Sequence, residues 1–177
     1  MLKVKAGDLD KLGLLFERYN RKLFNYFYRL THRRDISEDL VQGVFERIIK
    51  YRHTYSDNGS FSTWIYKIAR NLHIDHYRKE KNTINDAFLD YEELESPNSE
   101  PKIELEKDRE LKLLKKAIKH LDPEKRETLV LSRYQGFKYK EIAEIMDCSL
   151  SAVKVRIFRA INELKEIISE LDKKNYD

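Results

Sequence analysis

Leu12, Leu15, Phe16, Tyr19, Leu23, Phe27 and Leu30 recur at steps of three and four. That is one apolar face of a helix, predicted from about Asp8 to Arg29. Asp35, with Glu38 three residues on, resembles a capping box that opens a second helix. Its Ile36, Leu40, Val44, Phe45, Ile48 and Ile49 are expected to face inward. Asp57-Asn58-Gly59-Ser60 is a turn cluster. A third helix is predicted from about Ser62 to Arg78, with Ile65, Ile68, Ala69 and Leu72 on one side. Three such helices can share a core.

The pattern changes near Asn82. Up to about Glu104 the periodicity is weak, and Asp86, Asp90, Glu92, Glu93, Glu95, Glu100 and Glu104 accompany Pro97 and Pro101. This predicts an acidic, flexible linker. Leu105, Leu111, Leu114, Ile118 and Leu121 then start a new helical stripe. Asp122-Pro123 reads as a cap with proline at the first helical position. Leu129, Val130 and Leu131 mark a buried helix ending near Gly136. Tyr139 to Met146 is a short helix, Asp147-Cys148-Ser149 a tight connection, and Leu150 to about Leu171 a long helix. Val153, Ile157, Ile161, Leu164, Ile167 and Ile168 are its inward positions. The chain is thus expected to be all-α, with two small helical domains over 1–81 and 105–177 joined by a linker over 82–104.

Composition narrows the classes. The 177 residues are enough for one ordinary domain or two small ones. A charged fraction of 37% suits small units with much surface, or a protein that handles a polyanion. The net charge of +4 is too mild to decide, so its distribution carries the argument. A single cysteine, Cys148, rules out an internal disulfide or a Cys-based zinc site and reads as a small core hydrophobe. The start lacks an apolar signal segment, and no apolar run reaches the roughly 18 residues of a membrane span. A soluble, cytoplasmic protein is expected. His73, Asp75 and His76 lack a strong third ligand in a basic stretch, so no metal is expected and the histidines are read as facing DNA or solvent. No paired carboxylates, nucleophilic triad or glycine-rich phosphate loop suggests an enzyme or a cofactor.

Two helices joined by about three residues, the second longer and basic, describe a helix-turn-helix. Ile142, Ile145 and Val153 supply its core, and Ala143 allows a close crossing. The second helix offers Lys154, Arg156 and Arg159, with Ser151 and Val155 near its start. Such side chains reach base edges and phosphates. Lys138 and Lys140 are placed to meet the backbone. The competing reading is an ordinary helical hairpin with solvated charges.

The stretches Leu129–Ala143 and Glu144–Ala160 resemble region 4 of sigma factors, most of all the extracytoplasmic-function (group 4) type. Family members usually read Gly-Thr-Val-Lys/Arg-Ser-Arg around the turn. Here Ser151-Ala152-Val153-Lys154-Val155-Arg156 stands in its place, which removes two hydroxyls and bears on the −35 sequence rather than the fold. The resemblance implies −35 contacts from Lys138, Tyr139, Lys140, Ser151, Lys154, Val155, Arg156, Phe158 and Arg159. It also implies an interaction of this domain with the β flap of RNA polymerase.

Asp39-Leu40-Val41-Gln42-Gly43-Val44-Phe45 resembles region 2.2, implying that Asp39, Leu40, Gln42 and Phe45 dock on the clamp helices of the polymerase β′ subunit. Gly43, where relatives carry a longer residue, should loosen this helix by about 1 kcal/mol relative to Ala. Phe61 to Asn71, continued by Asp75 and Arg78, resembles regions 2.3 and 2.4. An unpaired base exposes a π-face and a free pairing edge. Tyr55, Asp57, Asn58, Ser60, Phe61 and Trp64 offer aromatic and small polar groups for it, although Phe61 and Trp64 are partly core. Lys67, Arg70, Asn71, Arg78, Lys79 and Lys81 offer phosphate contacts. The resemblance runs from about Asp8 to Lys165. It implies a dissociable specificity subunit without catalysis, a linker that threads the polymerase cleft, and control by an anti-sigma factor. A stand-alone regulator binding duplex DNA through 123–171 is the alternative.

Overall fold

The computed structural model describes residues 1–57, 59–83 and 105–173, with the side chains of 81–83 and 105–112 excepted. From residue 84 on, the expected acidic linker lies outside the described residues, as does Asn58. The described residues form helices α1 (Leu2–Lys5), α2 (Leu12–Thr31), α3 (Arg34–Tyr51), α4 (Phe61–Thr83), α5 (Leu105–His120), α6 (Pro123–Arg133), α7 (Tyr139–Met146) and α8 (Leu150–Lys173). Single 3-10 turns precede α2 and follow α3. The all-helical expectation holds across the described residues.

In the first half, α2, α3 and α4 pack around Leu23, Phe27, Val44, Ile48 and Ile65, all fully buried. Only His32 and Arg33 separate α2 from α3. His32 takes a left-handed conformation at φ 56 and donates its N–H to the Tyr28 carbonyl, which ends α2 sharply. The expected capping box does not form. Asp35 pairs with Arg33 at 2.7 Å and Glu38 with Arg34 at 2.8 Å, so neighbouring guanidiniums occupy both carboxylates. Fully buried Ser37 ties the start of α3 instead, its hydroxyl donating to the Arg33 carbonyl at 2.5 Å.

Gly43 leaves room for Leu72 of α4 beside α3. A Cβ there would lie 2.8 Å from Cδ2 of Leu72 on α4. A longer residue there requires the end of the Leu72 side chain to move. Helix α1 was not legible as an element. Its Val4 is fully buried, and Lys5 Nζ donates to the Tyr55 carbonyl at 2.5 Å, fastening the chain start behind the loop that precedes α4.

In the second half, Asp122 caps α6 as expected, its carboxylate accepting the Glu124 N–H at 3.0 Å. Gly136 turns the chain toward α7 at φ +73, where a Cβ would be strained. Asp147, also left-handed at φ 52, ends α7, and Ser149 Oγ accepts the Ala152 N–H at 3.1 Å to start α8. The α5 stripe is carried by Leu113, Ala117, Ile118 and Leu121.

The halves do not sit apart. One apolar cluster runs from α2, α3 and α4 into Val130, Leu131, Ile142, Ile145, Met146, Val153 and Ile157. Helix α7 packs on α4, and α6 packs on α2. Polar side chains pin this junction. The Tyr26 hydroxyl donates to Glu127 Oε1 at 2.6 Å, and the Tyr66 hydroxyl to Gln135 Oε1 at 2.6 Å. Arg70 Nε lies 3.4 Å from Glu127 Oε2. The Arg29 guanidinium stacks 3.7 Å over the Tyr134 ring. Arg126 donates to the Leu30 carbonyl at the end of α2. Burial pushes the Glu127 carboxyl up, although Tyr26 and Arg70 both favour its charged form.

Candidate nucleic-acid interface

Two surfaces follow from this packing. The first surrounds the loop before α4. Tyr55, Phe61 and Trp64 meet edge-on or tilted at 5.3 to 5.9 Å between centroids, and Tyr19 joins Phe61 at 5.2 Å. Tyr55 is buried, while Phe61 and Trp64 are half-buried. Their rings form the wall of the loop rather than free stacking platforms. Asp57 and Ser60 are exposed at its rim.

Lys67, Asn71 and Arg78 are exposed on α4. Spacings of four and seven residues place them on one side of the helix. That side is a basic strip leading away from the loop. Arg70 leaves it, because its side chain is only 15% exposed and faces Glu127 in the junction. On α3, Asp39 and Gln42 are exposed, whereas Leu40 and Phe45 are buried in the core. Within the region 2.2 resemblance, only the polar pair presents itself to a partner.

His73 corrects the expectation that the histidines face DNA or solvent. It is half-buried, and burial, with His76, Arg126 and Arg70 nearby, holds its imidazole down at about 4. Asp75 pairs with Arg47 at 2.8 Å, and His76 Nδ1 lies 3.8 Å from Glu80. An unfolded histidine binds its proton near about pH 6.5. As pH falls from there toward 4, the unfolded chain takes up a proton that the folded one refuses, so stability declines through that window. Between pH 7 and 5 the decline from this residue should be about 2 kcal/mol. His73→Asn is expected to remove that component, read as a smaller difference between urea midpoints at the two pH values. An unchanged difference would clear His73 of the effect.

The second surface is α8. Val153, Ile157, Ala160 and Leu164 face the core. Ser151, Lys154, Val155, Phe158 and Arg159 face solvent. Lys138 and Lys140 are exposed at the start of α7, and Tyr139 is half-buried. Arg156 is half-buried, pairing with Glu124 at 2.7 Å and lying 3.5 Å from the sulfur of Cys148. It braces α8 against α6. The free cations of the exposed face are Lys154 and Arg159. Among the described residues, no group of three or more His, Cys, Asp or Glu could hold a metal.

The Glu127 junction was missed by sequence reasoning. Tyr26 fits the spacing of the α2 stripe, but what its hydroxyl, the Tyr66 hydroxyl and the Gln135 amide would meet was not readable, because the partners are 69 or 101 residues away.

Comparison with known proteins places these surfaces in a family. Sigma-70 region 2 matches residues 15–83, and Sigma-70, region 4 matches residues 111–164. The RNA polymerase sigma factor SigZ of Bacillus subtilis is 30% identical over 158 residues, covering 87% of this chain and 85% of its own. The RNA polymerase sigma factor CarQ of Myxococcus xanthus is 28% identical over 172 residues, 97% of each. The sigma factor RpoE, solved with the anti-sigma factor NepR from Bartonella quintana, shares the fold with a TM-score of 0.72. Its identity is 24%, covering 89% of this chain and 96% of that one. CnrH, solved with the cytosolic domain of CnrY, gives a TM-score of 0.71 at 21% identity, covering 96% and 94%.

Proposed function

The chain belongs to the sigma-70 family of RNA polymerase sigma factors, and from that premise we propose how its parts divide the work of bringing core polymerase to promoters and opening them. Residues 1–81 bind core polymerase and the −10 element. Residues 105–177 bind the −35 element and the β flap. The acidic segment between them threads the polymerase cleft. The observation that carries this division is the pairing of the two matched regions with two distinct exposed faces, the loop and basic strip of α4 and the cationic face of α8.

At the −10 element, a base that leaves the stack needs a wall and polar edges. The rings of Phe61 and Trp64 supply the wall, Asp57 and Ser60 the edges, and Lys67, Asn71 and Arg78 hold the flanking backbone. Asp39 and Gln42 meet the β′ clamp helices, while Leu40 and Phe45 stiffen the helix that displays them. Asp39→Ala with Gln42→Ala is expected to weaken core binding at least tenfold, on the order of 1.4 kcal/mol. Undiminished co-migration with core on gel filtration would contradict the assignment.

The promoter elements are named for positions about 25 base pairs apart, which at about 3.4 Å each is about 85 Å of duplex. A compact chain of this length has a radius of gyration of about 16 Å. The docked arrangement therefore opens before both elements are held. Solved relatives carry anti-sigma factors, and such a factor is the regulator proposed for this chain. Among the described residues, no helix is long and apolar enough to cross a membrane. Its proposed place of work is beside polymerase in the cytoplasm, without catalysis of its own.

Run-off transcription by bacterial core, with and without the protein, on randomised promoter templates tests the reading. Initiation at selected templates supports it and yields the −10 and −35 motifs. Binding of duplex DNA without any response from core would instead favour a stand-alone regulator.

A further inference from the structure

The face that α8 turns to solvent combines charge with bare hydrocarbon, and the hydrocarbon is at its centre. At about 100° per residue, Lys154, Phe158, Ser151, Val155 and Arg159 fan across about 140° of the helix. The two cations take the edges, and Phe158 and Val155 lie between them. Phe158 is 67% exposed and Val155 45%. Phe158 is the most open large apolar side chain among the described residues. Packing does not force this, because the opposite face of α8 already fills the core through Val153, Ile157, Ala160 and Leu164. Residues three apart on a helix are neighbours, so the two side chains form one patch. Its flanking cations suit a polyanion.

We propose that Val155 and Phe158 read the methyl groups of thymines in the −35 element, so that part of this protein's promoter choice is hydrophobic. The proposal rests on α8 being the −35 helix. Base edges in the major groove present donors, acceptors and one apolar group, the C5-methyl of thymine. A valine or phenylalanine side chain cannot pair with the edge of guanine, cytosine or adenine. Set against one, it would displace water from polar groups and leave them unpaired. Against a thymine methyl, both partners lose unfavourable contact with water. The two residues are about 4.5 Å apart along the helix axis. That is close to the base-pair rise of about 3.4 Å, so they address neighbouring base pairs. Lys154 and Arg159 reach the flanking base edges and phosphates to either side.

The experiment uses holoenzyme assembled from the full chain and bacterial core. Its −35 element is first found by selection from randomised promoters. Each thymine of that element is then replaced singly by deoxyuridine, which deletes the methyl and keeps the pairing. Deoxyuridine at one or two adjacent positions should weaken promoter binding about fourfold each, the effect of one methyl group returned to water. Val155→Ala and Phe158→Ala should each weaken binding to the thymine template and abolish the thymine-to-deoxyuridine ratio at its own position. Both residues are exposed, and thermal unfolding checks that the variants stay folded. A selected element without thymine, indifference to deoxyuridine everywhere, or a ratio that survives both substitutions would overturn the proposal. Failure of the underlying assignment looks different: wild-type holoenzyme would then ignore a scrambled −35 element altogether.

Discussion

Glu127→Lys is expected to separate the two halves of the chain while leaving each folded. Glu127 is 5% exposed, and its carboxylate accepts the Tyr26 hydroxyl from α2 and faces Arg70 from α4. A lysine there would place a second cation against Arg70 and leave the buried Tyr26 hydroxyl without its acceptor. Removing one member of a buried charged pair costs about 3–5 kcal/mol. A junction between domains has little reserve against such a loss, because buried ion pairs recover their desolvation only with good geometry. This one is imperfect, since the buried Nε atoms of Arg70 and Arg126 lack hydrogen-bond partners. Small-angle scattering should show the radius of gyration rising by about 5 Å or more from a compact value near about 16 Å, as two bodies separate on a tether. Circular dichroism should keep its helical signal. Glu127→Gln, which keeps the shape and the Tyr26 bond, should open the molecule less. A variant that is folded and as compact as wild type would show that apolar packing alone holds the halves together.

This junction also marks where the sequence stops being legible. The helix-turn-helix could be delimited to the residue, at Tyr139–Met146, because periodicity, turn chemistry and a short connection agree. The Asp122-Pro123 start was readable for the same reason, since a cap acts on its own backbone. Spacing puts Tyr26 on the α2 stripe, but it does not say what the Tyr26 and Tyr66 hydroxyls would meet. The acceptors, Glu127 and Gln135, come from the other half, and no local pattern encodes that. The capping box failed because Asp35 and Glu38 have arginines beside them as well as amides, and only the fold decides between these partners. Within the candidate sites, exposure sorts what residue type could not. Lys154 and Arg159 are available, whereas Arg156 and Arg70 have the same chemistry and are spent on structure.

That sorting leads to the other large effect. Lys154→Ala with Arg159→Ala should reduce transcription from a −35-dependent promoter about a hundredfold, since a contact from such a side chain to a base edge contributes about 1–3 kcal/mol. Neither residue supports the core, so thermal unfolding and co-migration with core polymerase should stay near wild type. Each lost phosphate contact should also flatten the salt dependence of promoter binding by about one unit of log–log slope. On a template with a scrambled −35 element the double variant should lose much less, because the base-edge contacts are already absent there and only phosphate contacts remain to be lost. Arg156→Ala provides the contrast. Its guanidinium holds Glu124 at 2.7 Å across the α6–α8 contact, so its loss should lower the melting temperature and affect both templates alike. If the double variant and wild type transcribed both templates equally, α8 would not be the −35 reader. Its exposed cations would then have to serve the β flap or another acidic partner.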